Sequence, residues 1–181
     1  MRLFIAIDLP ENLKEKLSRI VLKFKKCDLD AKWVDTANIH MTLKFLGETR
    51  EDDLDKIKNV LSSVAAFFSK LELNTGEFGF FPNEKSPRIF FISTDKEEIL
   101  RKISFELEER LERIGFTREG RFKSHLTIAR FRSKKNVECL MKEIKDISIK
   151  EKFEVSEITL FKSLLKPTGP VYEKIFSAAL K

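Results

Sequence analysis

The chain of 181 residues has no glutamine, only two cysteines and two histidines, and no apolar run of the roughly 20 residues that a membrane-spanning helix needs. No signal-peptide pattern is present. Cys27 and Cys139 are far apart and form no CxxC pair, which argues against a zinc module. We expect two reduced, unpaired thiols in a cytoplasmic protein, because a reducing compartment disfavours disulfides.

The chain lacks glutamine and is rich in charged residues. The chain has 35 Lys and Arg residues and 29 Asp and Glu residues. Heat-adapted proteins combine such an excess of charged residues with few labile amides. The composition therefore predicts a protein from a thermophile.

A net charge of +6 and an isoelectric point near 9.2 favour an anionic partner. A basic surface attracts phosphate groups, but charge alone does not distinguish an enzyme from a binding protein. One interpretation is therefore a basic RNA-binding module without catalytic activity. Apart from that partner we expect no membrane association and no obligate protein partner.

The only two histidines lie in near-copies of one motif, Ile39 to Phe45 and Ser124 to Arg130, and each is followed two positions later by threonine. In a β-strand, residues i and i+2 project from the same face. His40, Thr42 and Lys44 therefore share a polar face, backed by an apolar one. His125 and Thr127 repeat the pattern, so both pairs are expected to line one cleft.

The elements around the two motifs also repeat. An apolar strand, a long helix, an extended piece, a His-x-Thr strand and a second helix occur twice, which indicates two similar halves. This order is compatible with an exchange of terminal strands between the halves, so we expect residues 1–181 to form a single domain of two intertwined lobes. The predicted strands are Arg2–Leu9, Ala31–Asp35, Asn38–Gly47, Leu71–Phe81 (broken by Gly76 and Gly79), Arg88–Ser93, Ser124–Arg130, Phe153–Lys162 and Tyr172–Leu180, the last after a Pro167–Pro170 loop. The predicted helices are Pro10–Phe24, Glu51–Ser69, Lys96–Ile114 and Lys134–Ile147.

Two facing imidazoles suit in-line displacement at phosphorus. The ordinary histidine pKa is about 6.5, so near neutral pH one copy can accept a proton while the other donates one. The threonine hydroxyls are placed to stabilise charge on the non-bridging oxygens. Neither motif strand carries Asp or Glu on the polar face, so acid–base chemistry without a metal or other cofactor is the simplest hypothesis.

The segments Arg2 to Ile7, Trp33-Val34, His40 to Gly47 and His125 to Arg130 together resemble the LigT-like branch of the two-histidine phosphoesterases, the RNA 2′,3′-cyclic phosphodiesterases. The resemblance covers essentially the whole chain, although Ser124 stands where relatives often have proline. It implies an α+β fold of two pseudo-twofold lobes, with antiparallel sheets facing a central cleft and helices outside.

The resemblance also implies a reaction, the hydrolysis of a 2′,3′-cyclic phosphate at an RNA 3′ end to a 2′-phosphate. The partner that the resemblance implies is RNA with such an end, for example a tRNA fragment. By resemblance, His40 is the proton donor to the leaving 3′ oxygen, His125 is the proton acceptor that activates water, and Thr42 and Thr127 bind the phosphate. Alternatives that keep the histidines are 2′-5′ RNA ligation and hydrolysis of a small nucleotide or a 2′-5′ oligonucleotide.

Further substrate-binding candidates are basic or aromatic. Lys44 shares the polar face with His40. The densest basic cluster flanks the second motif and includes Arg121, Lys123 and Arg130, although strict alternation turns Arg130 away from His125 unless the strand bulges. Among the 17 phenylalanines, Phe80, Phe81 and Phe122 are candidates for base stacking. Phe45, Phe67, Phe68, Phe90 and Phe91 are expected in the core, and Trp33 is expected to serve packing.

Overall fold

Apolar strands and amphipathic helices alternate along the chain and give an α+β fold, as predicted. The computed structural model describes residues 1–167 and 169–181. The described strands are β1 Arg2–Asp8, β2 Ala31–Trp33, β3 His40–Glu48, β4 Leu71–Phe81, β5 Ile89–Thr94, β6 His125–Phe131, β7 Lys152–Val155, β8 Glu157–Lys166 and β9 Gly169–Ala179. The described α-helices are α1 Glu11–Lys25, α2 Leu54–Ala65, α3 Glu97–Glu112 and α4 Val137–Glu143. None of these helices is both long and apolar enough to cross a bilayer.

The strands form two antiparallel sheets, and the chain moves from one sheet to the other more than once. The first sheet has the order β3-β1-β8-β9 and the second has the order β2-β6-β5-β4-β7. Strand β2 precedes β3 in the chain but pairs with β6 of the second sheet. The last two strands, β8 and β9, return to complete the first sheet beside β1. Strands from each half of the sequence therefore contribute to the sheet of the other half.

The single strand predicted over Phe153–Lys162 is two strands in different sheets. Strand β7 pairs with β4, and β8 pairs with β1. The change occurs at Ser156, whose carbonyl accepts a hydrogen bond from the Leu180 amide. The sequence pattern did not reveal this change, because periodicity can identify a strand but not the sheet that the strand joins.

The register of the strands confirms the duplication. Asp8 of β1 lies opposite His40 of β3, and Ser93 of β5 lies opposite His125 of β6. Both pairs are separated by the same offset of 85 residues (93 − 8 and 125 − 40). The two lobes therefore share strand pairing as well as element order.

Each motif strand contains a β-bulge at the third residue after its histidine. In β3 the pairing skips Leu43, because Ile5 and Ala6 lie opposite Lys44 and Thr42. In β6 the pairing skips Ile128 in the same way. One extra residue reverses the alternation of side chains beyond it. Residues after the bulge therefore face opposite to the direction that strict alternation predicts.

The bulge makes the prediction for Lys44 wrong. Its side chain is buried on the core side of β3, where Nζ lies 3.0 Å from Glu108 Oε2 and donates a hydrogen bond of 2.6 Å to the Thr117 carbonyl. The hydroxyl of Ser104 donates to the carbonyl of the bulged Leu43 at 2.8 Å. Helix α3, which carries Ser104 and Glu108, thus stabilises the bulge of β3 through contacts on the core side of the strand.

The same reversal exposes Phe45. Its ring is 50% exposed, although periodicity predicted burial. Phe67 lies beyond the end of α2 and is exposed too, with the Arg110 guanidinium 4.8 Å from its ring centre. Phe90 and Phe91 are buried as predicted.

The prediction of two free thiols is wrong. Cys27 and Cys139 form a disulfide with a Cα–Cα distance of 5.7 Å across a sequence separation of 112 residues. It joins the turn after α1 to α4, beside an ion pair between Asp28 and Lys135. A pairing this distant leaves no trace in local sequence, and intracellular proteins of hyperthermophiles are a known exception to the scarcity of disulfides in the cytosol.

Several element ends differ from the prediction. A 3₁₀ turn, Glu51–Asp53, precedes α2, which ends at Ala65, and α4 is only the central part of the predicted helix. Strand β4 is continuous through Gly79, where the ring of Phe91 from β5 packs so closely that a β-carbon would lie 2.5 Å from it. Of the predicted Pro167–Pro170 loop, residue 168 lies outside the described residues, and Gly169 and Pro170 belong to β9.

The buried ion pair between Lys44 and Glu108 generates a stability prediction. Replacement of either residue alone, as in Lys44→Met or Glu108→Leu, leaves an unpaired buried charge and is expected to lower the free energy of unfolding by about 3–5 kcal/mol. The double variant is expected to recover most of that loss, because it leaves no buried charge. Urea unfolding followed by circular dichroism measures all three. Single losses below about 1 kcal/mol would contradict the assignment of a buried pair.

Candidate active site

His40 is held at the start of β3 by its neighbours in sequence. A 3₁₀ turn, Thr36–Asn38, is capped by the Asp35 carboxylate and leads directly into the strand. His40 Nδ1 lies 2.7 Å from the Asn38 carbonyl oxygen, and Nε2 lies 3.0 Å from Thr42 Oγ1. A carbonyl can only accept, so Nδ1 carries a proton. In the neutral imidazole, Nε2 is then the acceptor and the Thr42 hydroxyl donates to it.

His125 has the same anchor in the other lobe. Its Nδ1 lies 2.7 Å from the Lys123 carbonyl oxygen, two residues earlier, as Nδ1 of His40 does from Asn38. This hydrogen bond fixes the same tautomer and directs Nε2 away from the backbone. In both lobes, therefore, the nitrogen that can exchange a proton is Nε2.

Aromatic rings surround both imidazoles. The ring of His40 lies 4.8 Å from Phe4, 5.2 Å from Tyr172 and 6.4 Å from Phe161. The ring of His125 lies 5.1 Å from Phe81 and 5.7 Å from Phe91, edge to face in both cases. Apolar walls of this kind disfavour the charged form of a histidine.

Burial lowers the pKa of both histidines below the ordinary value of 6.5. For His40, burial is opposed by the hydrogen bond to Asn38 and by the negative charge of Asp8, whereas the positive charge of His125 lowers its pKa further. The two imidazoles are thus close enough for their charges to interact. For His125, the cations of Arg130 and Lys123 add to the lowering of the pKa by burial.

Asp8 lies opposite His40 in the strand pairing and is held by two lysines. Its carboxylate oxygens lie 2.9 Å from Lys14 Nζ and 2.8 Å from Lys174 Nζ. Burial raises the pKa of Asp8, but the hydrogen bonds from Lys174 and Lys14 outweigh it and lower the pKa below the ordinary range. Asp8 therefore stays ionised beside His40.

Arg130 of β6 and Tyr172 of β9 are near enough for the charge of the arginine to lower the pKa of the phenol. Because of the bulge in β6, Arg130 faces the cleft, where its charge acts on both His125 and Tyr172 of β9. Burial raises the pKa of Tyr172 above 10, although Arg130 and Arg2 oppose it. The phenol thus remains protonated near neutral pH.

Most of the predicted site residues on the two motif strands lie on the same face as the histidines. His40, Thr42, His125 and Thr127 are half-buried at equivalent positions of β3 and β6, and these two strands are in contact. Lys123 lies over the ring of Phe81, with Nζ 5.4 Å from the ring centre. The remaining members of the predicted set lie as follows: Arg130 is in the cleft, Arg121 is exposed in the segment before β6, and Lys44 is in the core.

The aromatic candidates for stacking have different positions. Phe81 is in the cleft, beside His125. Phe80 is buried, so the prediction that it stacks on a base is wrong. Phe122 is partly buried against the main core, which does not support a stacking role. Trp33 packs against the core, as predicted.

Three residues of the site were not singled out by the sequence. Phe4 and Asp8 lie on β1, an apolar strand with little alternation, and only the charge of Asp8 distinguishes one face from the other. Tyr172 is the only tyrosine of the chain, but its place beside His40 depends on the return of β9 to the first sheet. Among the described residues, no three His, Cys, Asp or Glu side chains are grouped so as to hold a metal ion.

Each of the two sheets carries one His-x-Thr strand, whose histidine is held through Nδ1 by the backbone carbonyl two residues earlier. This is the arrangement that the sequence predicted for a phosphoesterase of the two-histidine class. The comparison with family models specifies which one. A model described as "LigT like Phosphoesterase" matches the chain twice, over residues 7–91 and 92–172. The chain belongs to this family, and each of the two matches contains one His-x-Thr motif.

Relatives with curated names extend over the full length. The chain is 38% identical to the RNA 2′,3′-cyclic phosphodiesterase of Methanocaldococcus jannaschii, over 97% of this chain and 98% of the relative. It is 32% identical to the protein of the same name from Methanothermobacter thermautotrophicus, over 95% of each chain. Both relatives come from thermophilic archaea, in agreement with the heat-adapted composition.

Solved structures show the same fold. The crystal structure of TT0787 from Thermus thermophilus superposes with a TM-score of 0.83 at 26% identity, over 99% of this chain and 98% of that one. Escherichia coli LigT in its apo form superposes with a TM-score of 0.78 at 23% identity, over 99% and 96% of the two chains. The two-lobed architecture predicted from the sequence is therefore confirmed.

The environment of the two histidines predicts their titration. Both imidazoles are expected to titrate below pH 6.5 as Nδ1–H tautomers, because burial disfavours the cation and the carbonyls of residues 38 and 123 hold the Nδ1 proton. Since the unfolded chain takes up protons first, the native state is expected to lose stability as the pH falls through about 6.5 towards the folded pKa values. Nitrogen-15 NMR of the two imidazoles, titrated from neutral pH into the acid range, measures both the pKa and the tautomer.

A variant tests the role of Asp8 in the same titration. Asp8→Asn removes the negative charge opposite His40, so the pKa of His40 is expected to fall further while that of His125 stays unchanged. Equal movement of both values would show a general disturbance of the cleft, and a rise at His40 would contradict the electrostatic assignment.

Proposed function

We propose that this protein hydrolyses the 2′,3′-cyclic phosphate at the 3′ end of RNA to a 2′-phosphate, by general acid–base catalysis at His40 and His125. The observation that carries the proposal is the pair of imidazoles at equivalent strand positions, each with Nδ1 fixed by a backbone carbonyl. Two curated relatives that match 97% and 95% of the chain are named RNA 2′,3′-cyclic phosphodiesterase, which supports the proposed substrate. Because RNA is an intracellular polymer, we propose that the enzyme acts in the cytoplasm.

His125 is the proposed proton acceptor. Neutral imidazole is the form that can accept a proton from water, and burial together with Arg130 and Lys123 keeps the pKa of His125 low. Among the hydrogen bonds of the described residues, His125 has a partner only at Nδ1, so Nε2 can meet a water molecule. The activated water attacks phosphorus opposite the 3′ oxygen, and the P–O3′ bond breaks.

His40 is the proposed proton donor to the leaving 3′ oxygen. This role needs the imidazolium, which burial disfavours in the free protein. The negative charge of the ionised Asp8 raises the pKa of His40 and so opposes the effect of burial. The negative charge of a bound phosphate raises this pKa in the same way. Substrate binding is therefore expected to favour protonation of His40, which supplies the proton for the leaving 3′ oxygen. After one turnover His125 carries the extra proton, and exchange with solvent restores the starting state.

The phosphate itself needs donors in the cleft. Thr42 Oγ1 is 3.0 Å from His40 Nε2, and Thr127 occupies the equivalent place on β6. We propose that these two hydroxyls and Arg130 bind the non-bridging oxygens, on which negative charge grows in the transition state. Lys123 and Arg121, before the second motif, are proposed to attract the RNA backbone.

Substitution of either histidine tests the proposal. His40→Asn and His125→Asn retain an amide N–H near the position of Nδ1 but cannot exchange a proton, so kcat on an RNA with a cyclic phosphate end is expected to fall by roughly 10²–10⁴-fold each. The assay separates products by chromatography in the presence of EDTA and is expected to yield a 2′-phosphate. Thr49→Val, near the far end of β3 and outside the cleft, is a matched control and is expected to retain activity.

The same assay separates the alternatives. A basic RNA-binding module predicts salt-dependent binding with no turnover by the parent protein. If an acceptor RNA is added and a product joined through a 2′-5′ linkage forms, the result would instead support ligation. Histidine variants that keep full kcat while folded, as judged by thermal melting, would contradict the catalytic assignment.

A further inference from the structure

Strand β2 adds a lysine to the sheet that carries the second motif. Lys32 lies directly opposite Arg130 in the pairing of β2 with β6. Residues that lie directly opposite each other project their side chains from the same face of a sheet. Trp33, the next residue, packs against the core, so Lys32 faces away from the core on the side of Arg130. The crossing of β2 into the second sheet therefore places a cation from the first half of the chain beside the second motif strand.

Arg132 extends this basic row beyond the end of β6. Its amide donates a hydrogen bond of 2.8 Å to the Asp30 carbonyl, so the ladder between the two segments continues to this residue. Phe131 packs against the core, and Arg132, two positions after Arg130, returns to the face of Lys32. Both side chains are exposed. Lys32 and Arg132 are called the outer cations below.

The outer cations and Arg130 have no counter-ion within the part of the chain that the structure describes. Lys135, a short distance along the chain, has the Asp28 carboxylate 2.7 Å from its ammonium group. No ion pair of the described residues includes Lys32, Arg130 or Arg132. Like charges directly opposite each other destabilise a sheet. A bound anion removes this repulsion, and each phosphodiester group of an RNA backbone is such an anion.

The distance between the outer cations and the second histidine suits a further phosphate group. Because Ile128 is bulged, His125 and Arg130 are separated by four steps of the ladder, which at roughly 3.3 Å per residue is about 13 Å. The cations that lower the pKa of His125 are Arg130 and Lys123, and the outer cations are not among them. The outer cations therefore lie farther along the basic row than the phosphate that reacts at the histidines.

We propose that Lys32 and Arg132 bind the phosphodiester group on the 5′ side of the terminal nucleotide. The proposal rests on the proposed function, since it assigns a second phosphate of that same substrate. A free nucleoside 2′,3′-cyclic phosphate lacks this group, whereas every RNA end has it. The outer cations therefore give the enzyme a preference for RNA ends over single nucleotides. They select no sequence, because backbone phosphates are the same at every nucleotide.

Two substrates that differ in one charge test the proposal. One is a dinucleotide with a 2′,3′-cyclic phosphate end, and the other has an uncharged methylphosphonate in place of its internal phosphodiester. Lys32→Met is expected to raise KM for the charged dinucleotide and to lower kcat/KM roughly 3- to 10-fold, because one charged contact is lost. For the methylphosphonate and for cytidine 2′,3′-cyclic phosphate, the variant and the parent are expected to have equal kcat/KM. Arg132→Met is expected to behave like Lys32→Met, and Lys32→Arg is expected to retain the parent value.

A matched control and the third substrate separate this site from the proposed function. Lys102→Met removes an exposed lysine of helix α3, which packs on the core side of β3, and is expected to leave all three rates unchanged. If Lys32→Met slows all three substrates equally, slows none, or slows the methylphosphonate as much as the charged dinucleotide, the second phosphate site is wrong. A parent protein that hydrolyses cytidine 2′,3′-cyclic phosphate upholds the proposed function in each of these cases, and a parent that hydrolyses none of the three overturns it.

Discussion

One extra residue in each motif strand determines what the cleft contains. Before the bulges, alternation points His40 and His125 inward together with their threonines; after them, it reverses and brings Phe45 and Arg130 to the same side. The reversal also sends Lys44 into the core, where Glu108 of α3 neutralises it. The residues of the site and the buried ion pair next to the bulge of β3 therefore both depend on the bulges.

Electrostatics in the cleft set the resting state of both imidazoles. Burial among aromatic rings favours the neutral form, and the two lobes differ in the charges that modify it. Asp8 acts on His40, whereas Arg130 and Lys123 act on His125. The two equivalent histidines thus differ in their charged neighbours, which supports the proposed roles of His40 as proton donor and His125 as proton acceptor.

The sequence predicted the class of fold, the duplication and the pairing of the two motifs, because these depend on local patterns and on their repetition. It placed Lys44 in the cleft and Phe45 in the core, since periodicity assumes a regular strand and a bulge has no reliable signature in side-chain type. Asp8 and Tyr172 were missed because their nearness to His40 depends on which strands pair. The disulfide between Cys27 and Cys139 was missed for the same reason, since 112 residues separate its ends.

The exchange of strands between the lobes has a consequence for the growing chain on the ribosome. Strand β1 forms one side of its pairing with β3 early, but its other partner is β8, where Leu3 lies opposite Lys162. The first sheet therefore keeps an open, hydrogen-bonding edge until nearly the entire chain has been translated. Contacts so distant in sequence make folding slow, and unpaired strand edges attract other chains. Until translation nears its end, avoiding aggregation depends on whatever shields that edge of β1.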